Sequence, residues 1–377
     1  MALLLAALLM QAKPPPLPKD ETVLVKVVDK AKAPGLALDS DGNAYVVFSR
    51  NGNIEVAVSG DGGITFAAPV VALNTGGKDP GNANRPPRIA VDSSKRVYVS
   101  APLEGGLSFV VSTDRGKSFG KPHVVAEPGS FADPVHAIAA GPGDLHVAWL
   151  SAAPGKLPLL QYAKFGADGK RAAKPLTIAG FPCEACPPAI AVDPKGQPTV
   201  AWREAAHDDA SKMNRQIYIT TSTDAGRSFP PMARLNSVDS GLNECPVEAP
   251  ALAYASDGRT LAAAWMDRRD LEHDANIYWA FGPPGKFGRD TDPHDDRRYL
   301  QRRPTVAVEP DGTVWCAWED GRLSGQRIFY ATSKKEVNVP VGDAREAGSF
   351  TPCLAAGGAR IALVYQLNDS IAFRLLK

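Results

Sequence analysis

Charge of one sign is nearly absent from this chain: 42 basic residues stand against 41 acidic ones, a net +1. So balanced a surface makes no broad positive field, which argues against a nucleic acid or an anionic membrane as partner. Long apolar runs are equally scarce. Only Met1–Met10 is continuously apolar, far too short to cross a bilayer, so no membrane insertion is expected. No long stretch places apolar residues at helical spacing, and almost no helix is expected.

What the chain does have is punctuation. Its 34 glycines and 33 prolines separate many short runs of Val, Ile, Ala, Tyr and Trp at regular spacing, the texture of strands joined by turns. The apolar N-terminus, followed by Lys13 and the Pro14–Pro18 stretch, reads as a secretory signal peptide, although no basic residue precedes its apolar core. The expectation is a leader over 1–20, one domain over 21–377, and a secreted or periplasmic location in a bacterium.

Seven times Pro-x-x-Ala opens an apolar strand: at Pro34, Pro87, Pro134, Pro188, Pro250, Pro304 and Pro352, at intervals of 53, 47, 54, 62, 54 and 48 residues. A turn and a second strand follow each, and that strand ends on Phe48, Trp149, Trp202, Trp265, Trp318 or Tyr365, with Ala101 in the second repeat. A repeat of this length and texture suits a four-stranded propeller blade, which buries both faces of its sheet only against neighbours in a ring. The fold class is therefore all-β, a seven-bladed β-propeller of four-stranded blades. The last repeat stops after a third strand near Ile371–Leu376, so the strand at Thr22–Val28 is predicted to supply its missing outer strand and close the ring.

Three hairpins share Ser-x-Asp-x-Gly-x-(Ser/Thr)-Phe: Ser59, Asp61, Gly63, Phe66; Ser112, Asp114, Gly116, Phe119; and Ser222, Asp224, Gly226, Phe229. Each element serves a turn: the carboxylate accepts backbone N–H bonds, the glycine takes a positive φ, and the aromatic ring packs between sheets. Weaker copies stand at Asp168-Gly169 and Gly285-Lys286-Phe287. These motifs resemble the Asp box of the bacterial neuraminidase repeat, and the chain is similar to sialidase-like propellers, nearest to uncharacterised bacterial members with a Cys-rich segment. In that family the boxes are structural and lie opposite the ligand-binding face. The resemblance also makes a six-bladed ring, the sialidase number, the alternative fold.

On the opposite face, the segments leading into each first strand and the loops joining second to third strands surround the channel mouth. Arg85-Pro86-Pro87 and Arg302-Arg303-Pro304 place Arg two residues ahead of the aligned Pro, in the register of the sialidase Arg-Ile-Pro motif. The resemblance implies that Arg85, Arg302 and Arg303 bind a substrate carboxylate, for which a planar guanidinium is suited; a surface or inter-blade role is the competing reading. Trp265-Met-Asp267-Arg-Arg269 and Trp318-Glu-Asp320-Gly-Arg322, repeated in two blades, read as Asp–Arg pairs that brace loops. Hydrolysis by the sialidase route needs a tyrosine nucleophile, a glutamate base and an acidic residue. Tyr299, Glu248 and Asp133 are the candidates, each leading into a different repeat.

Of five cysteines, Cys183 and Cys245 both stand five residues before their aligned Pro, which puts them on adjacent blades near the axis. A disulfide joining Cys245 to Cys183 or to Cys186 is one reading. A three-thiolate metal site, with His207 or His273 assisting, and free thiols are the others; the metal reading ranks below the disulfide, and no metal or cofactor is expected. Two functions compete: an exo-glycosidase acting on acidic, sialic-acid-type glycans through an arginine-lined mouth, and a non-catalytic propeller that binds a glycan or a protein. A monomer with a glycan or other small ligand at the mouth is expected.

Overall fold

Alternation along the second strands decides how the sheets pack. In Leu261–Asp267 the side chains of Leu261, Ala263 and Trp265 join residues of the preceding sheet, whereas Ala262, Ala264 and Met266 join residues of the next. A strand buried on both faces in this way needs a neighbour on each side, and only a ring supplies one to every sheet. The computed structural model, which describes residues 22–77, 81–127, 135–152, 156–209, 212–323, 325–342 and 348–377, shows that ring: seven antiparallel sheets arranged as the blades of a β-propeller. Seven clusters of buried apolar side chains fill the seven seams between adjacent blades. No helix occurs among the described residues, and none there is long and apolar enough to cross a membrane.

Six of the sheets have four strands, and each blade's first strand is the innermost. Blade 5 departs from the expected pattern. It has three strands, and its fourth position is reduced to the bridge between Trp279 and Thr291. The Asp290 carboxylate forms an ion pair with Arg269 and accepts from the Ser237 hydroxyl there, so side chains tie down an edge that a ladder would otherwise hold. Blade 4 carries an additional hairpin, Ala206–Asp209 paired with Lys212–Asn214, which accounts for the longest interval between repeats.

Closure occurs where the repeat count placed it, shifted by a few residues: Val25–Asp29 pairs antiparallel with Ser370–Leu375 and becomes the outer strand of blade 7. The Ser370 hydroxyl donates to Asp29 at 2.7 Å, and Phe373 is buried in the seam between blades 7 and 1. The aromatic residues that end the second strands, Phe48, Trp149, Trp202, Trp265, Trp318 and Tyr365, are all buried, as is Ala101 in blade 2. The expected leader lies outside the described residues.

In the three Ser-x-Asp-x-Gly turns, the serine hydroxyl donates to the Asp and accepts from the Gly N–H, at 2.7 and 2.7 Å in the Ser59 turn. The carboxylates of Asp61, Asp114 and Asp224 also accept from Thr65, Ser118 and Ser228, and these hydroxyl and backbone donors hold all three well below the usual carboxylate range. Gly226 shows why the glycine is needed. Its φ is +79°, and a Cβ there would stand 2.0 Å from the Tyr162 hydroxyl oxygen of blade 3. The turns thus press each blade against the one before it.

Candidate functional site

The innermost strands of all seven blades, with lead-in residues of several, line a central cavity of about 300 Å³, at the lower end of the range for small-ligand sites. Three of these strands contain β-bulges, and the bulged residues Ala33, Arg303 and Thr351 have φ of +54°, +52° and +54°. A left-handed conformation costs a residue with a side chain roughly 1–2 kcal/mol, so the ring must hold it in place. It does so by the same device three times. The bulged N–H donates to a side chain of the preceding blade: Ala33 to Gln366 at 3.2 Å, Arg303 to Glu248 at 3.2 Å, and Thr351 to Glu319 at 2.7 Å. The proline that follows each, Pro34, Pro304 or Pro352, fixes the next φ and lacks an N–H that would need a partner.

Two of the three braces carry charge and meet at Arg303. Glu319 is fully buried and accepts from Arg303 Nη1 at 2.9 and 3.0 Å, from Arg302 Nε at 2.9 Å and from the Gln326 amide. Arg303 Nη2 reaches across the mouth to Asn84 Oδ1 of blade 2 at 2.8 Å. Glu248 lines the cavity beside this network, and burial raises its carboxyl to about 7; Arg303 opposes the shift and the Glu319 charge adds to it. The mouth therefore offers one carboxyl that exchanges its proton near neutral pH, next to a guanidinium held in a strained backbone.

Among the residues singled out from sequence, Glu248 and Arg303 line the cavity, and Arg302 joins them through Glu319. Arg85 does not line it, although its neighbours Asn84 and Pro86 do; its backbone pairs with Asn82 in a tight turn. Tyr299 is 37% exposed, lies away from the cavity lining with Arg298 over its ring, and offers its backbone carbonyl to Asn276. Asp133 lies outside the described residues. No tyrosine lines the cavity among the described residues. The Asp267–Arg269 and Asp320–Arg322 pairs, at 2.6 and 2.9 Å, sit at strand ends, each Asp also accepting from its Trp indole.

Two lining residues, Asn84 and Arg88, and the buried Glu319 beside them were not singled out from sequence. The roles of Asn84 and Glu319 depend on contacts between blades. Arg88 had a local signal: it is the one charged residue at the first variable position of the seven Pro-x-x-Ala motifs, and in the structure it donates to the His136 carbonyl of blade 3 at 3.3 Å.

Beside the rim, between blades 4 and 5, Cys183, Cys186 and Cys245 meet. Their sulfurs are 2.9, 3.0 and 3.6 Å apart, and Arg215 Nη1 donates to Cys183 Sγ at 3.0 Å. Burial pushes the Cys186 thiol up, whereas bonds from Cys183 and Cys186 draw Cys245 down. The His207 side chain lies outside what the structure describes, and His273 is engaged with Asp270 at 2.8 Å. Cys316 and Cys353 are separate from this group.

No protein-family model and no curated protein matches the sequence. Solved structures do match the fold. An ulvan lyase of polysaccharide lyase family PL25, bound to a GlcA–sulfated rhamnose ligand, aligns with a TM-score of 0.62 at 11% identity over 94% of this chain and 96% of its own. An α-L-arabinanase from Penicillium chrysogenum, complexed with arabinobiose, aligns with a TM-score of 0.51 at 12% identity over 94% and 98%. The NanB sialidase from Streptococcus pneumoniae aligns with a TM-score of 0.51 at 9% identity over 84% and 70%. At such identities what is shared is architecture: the chain has the same β-propeller fold as these carbohydrate-active proteins.

Proposed function

We propose that this protein is a glycan-active propeller that takes one unit of an acidic, sialic-acid-type carbohydrate into the channel mouth, and that it works outside the cytoplasm. The observation that carries the reading is Glu248: a buried carboxyl, raised to about 7, that opens on a cavity of about 300 Å³ beside Arg303. A carboxyl with its pKa near the working pH is suited to donate a proton to a leaving glycosidic oxygen and take one back. Arg85 stands between the lining residues Asn84 and Pro86 in the register of the Arg-x-Pro motif, and in this reading its guanidinium meets the sugar's carboxylate. Neighbours of the same fold that act on or bind carbohydrates support this reading.

A second reading is a non-catalytic glycan-binding module. It is favoured by the absence of tyrosine from the described cavity lining and by the use of Arg302 and Arg303 to neutralise Glu319. Hydrolysis of a fluorogenic α-sialoside by the purified protein, alongside Glu248→Gln and Arg85→Ala, separates the two. Turnover lost in both variants supports the enzyme. Saturable sugar binding without turnover in folded protein supports the module.

A further inference from the structure

The three cysteines at the seam of blades 4 and 5 play no part in the glycan reading, yet their surroundings are built. Cys183 N–H donates to the Arg203 carbonyl at 2.8 Å, and Ala205 N–H to the Phe181 carbonyl at 2.8 Å, so the Cys-Glu-Ala-Cys turn is fastened to the end of a central strand of blade 4. Cys245 arrives from the segment leading into blade 5, three residues before Glu248. Cys183 and Cys186 are buried, while Cys245 is partly open to solvent.

Charge around the sulfurs is the second observation. The buried Arg215 guanidinium points Nη1 at Cys183 Sγ, and the buried Arg203 donates to the Arg215 carbonyl at 2.8 Å. A disulfide is neutral and uses two sulfurs; it needs neither a third thiol in contact nor an arginine aimed at one of its atoms. Three convergent thiolates next to buried guanidinium are the donor set of a soft cation.

We propose that Cys183, Cys186 and Cys245 form a three-thiolate site for one thiophilic d10 cation, Zn(II) or Cu(I), that clips blade 4 to blade 5 at the rim of the channel. With metal–sulfur bonds of about 2.3 Å, the sulfurs of such a site stand about 3.8–4.0 Å apart. The observed spacings of 2.9–3.6 Å reach this by side-chain rotations that separate each pair of sulfurs by about 1 Å or less. On loading, each protonated thiol gives its S–H proton to solvent as its sulfur lone pair binds the ion; no oxidant or reductant takes part. Partial exposure of Cys245 supplies the path by which the ion enters and, for zinc, the side from which a fourth ligand arrives.

The test uses full-length protein, reduced and stripped of metal by chelation under anaerobic conditions. In separate arms it is titrated with Zn(II) against a chromophoric zinc chelator and with Cu(I) against a copper(I) chelator. The expected result is one equivalent of one ion withheld from the competitor, three thiols shielded from a thiol reagent, and loss of both in Cys183→Ser and Cys245→Ser. Cys316→Ala should retain both effects. Arg215→Lys should weaken retention by about 10–100-fold, the usual effect of removing an outer-shell partner. Circular dichroism confirms that each variant is folded. Retention of neither ion by folded, reduced protein overturns the proposal, as does a disulfide between two of the three cysteines in protein isolated without reductant.

Discussion

Replacing Glu319 by Gln tests the charge network of the mouth. Glu319 has no exposed side-chain area and faces two guanidiniums, with Arg303 at 2.9 Å and Arg302 at 2.9 Å. Glutamine keeps the shape and one acceptor but turns an NH2 toward an arginine and removes the neutralising charge. Breaking one side of a buried pair in this way costs about 3–5 kcal/mol. At roughly 2 cal/mol/K of unfolding entropy per residue, 377 residues give about 0.8 kcal/mol/K, so Tm should fall by about 4–6 °C. Lys26→Ala is the control, because the Lys26–Asp29 pair is 63% and 56% exposed. Such pairs are worth about 0–1 kcal/mol, which corresponds to a shift of no more than about 1 °C. Differential scanning calorimetry measures both. A Glu319→Gln protein that melts within about 1 °C of wild type would refute the reasoning and mean that Arg302 and Arg303 do not depend on Glu319 for their charge balance.

Further outcomes follow from the same geometry. The Glu248 carboxyl is raised in the folded state, so the stability it contributes is complete below its unfolded pKa near 4.5 and is lost as pH rises through about 7; this amounts to about 3 kcal/mol. Melts of wild type and Glu248→Gln between pH 5 and pH 8.5 should diverge, with the glutamine variant losing less as pH rises. Gly226→Ala meets Tyr162 as well as an unfavourable φ and should cost about 2–4 kcal/mol, whereas Gly285→Ala, with φ of +75° and open space around it, should cost about 1 kcal/mol, both read by denaturant titration. Deleting residues 22–29 removes the strand paired with Ser370–Leu375. The bared edge should lower Tm and produce concentration-dependent association, visible by light scattering.

The architecture was legible because a blade cannot stand alone: each repeat had to present Pro-x-x-Ala, a turn and a buried aromatic residue to its neighbours, and the repetition made the count secure. The missing outer strand of blade 7 and its replacement by the N-terminal strand followed from the same count. The site was less legible. Arg302 and Arg303 could be placed at the mouth by register, but Glu319 lay in a motif whose neighbouring Asp–Arg pair accounted for it locally. Its actual partners, Arg303 and the Thr351 N–H, are supplied by bulges that shift the register of blades 6 and 7. No local pattern announces such a bulge, because the left-handed residue is alanine, arginine or threonine rather than glycine. The hairpin inserted in blade 4 showed only as excess length. For the cysteines, pseudo-symmetry placed two of them on adjacent blades, but the meeting of all three sulfurs, with Arg215 on Cys183, depends on the path of both lead-in segments.

Binding of an acidic sugar at the channel mouth is the property on which the proposed function depends. Calorimetric titration of sialyllactose and of neutral lactose into wild-type protein, Glu248→Gln and Arg85→Ala measures it. Saturable one-to-one binding of sialyllactose, weaker binding of lactose, and a clear loss of affinity for sialyllactose in Arg85→Ala are expected. Absence of heat with either sugar in folded protein, or equal affinity for both that neither substitution alters, would contradict it.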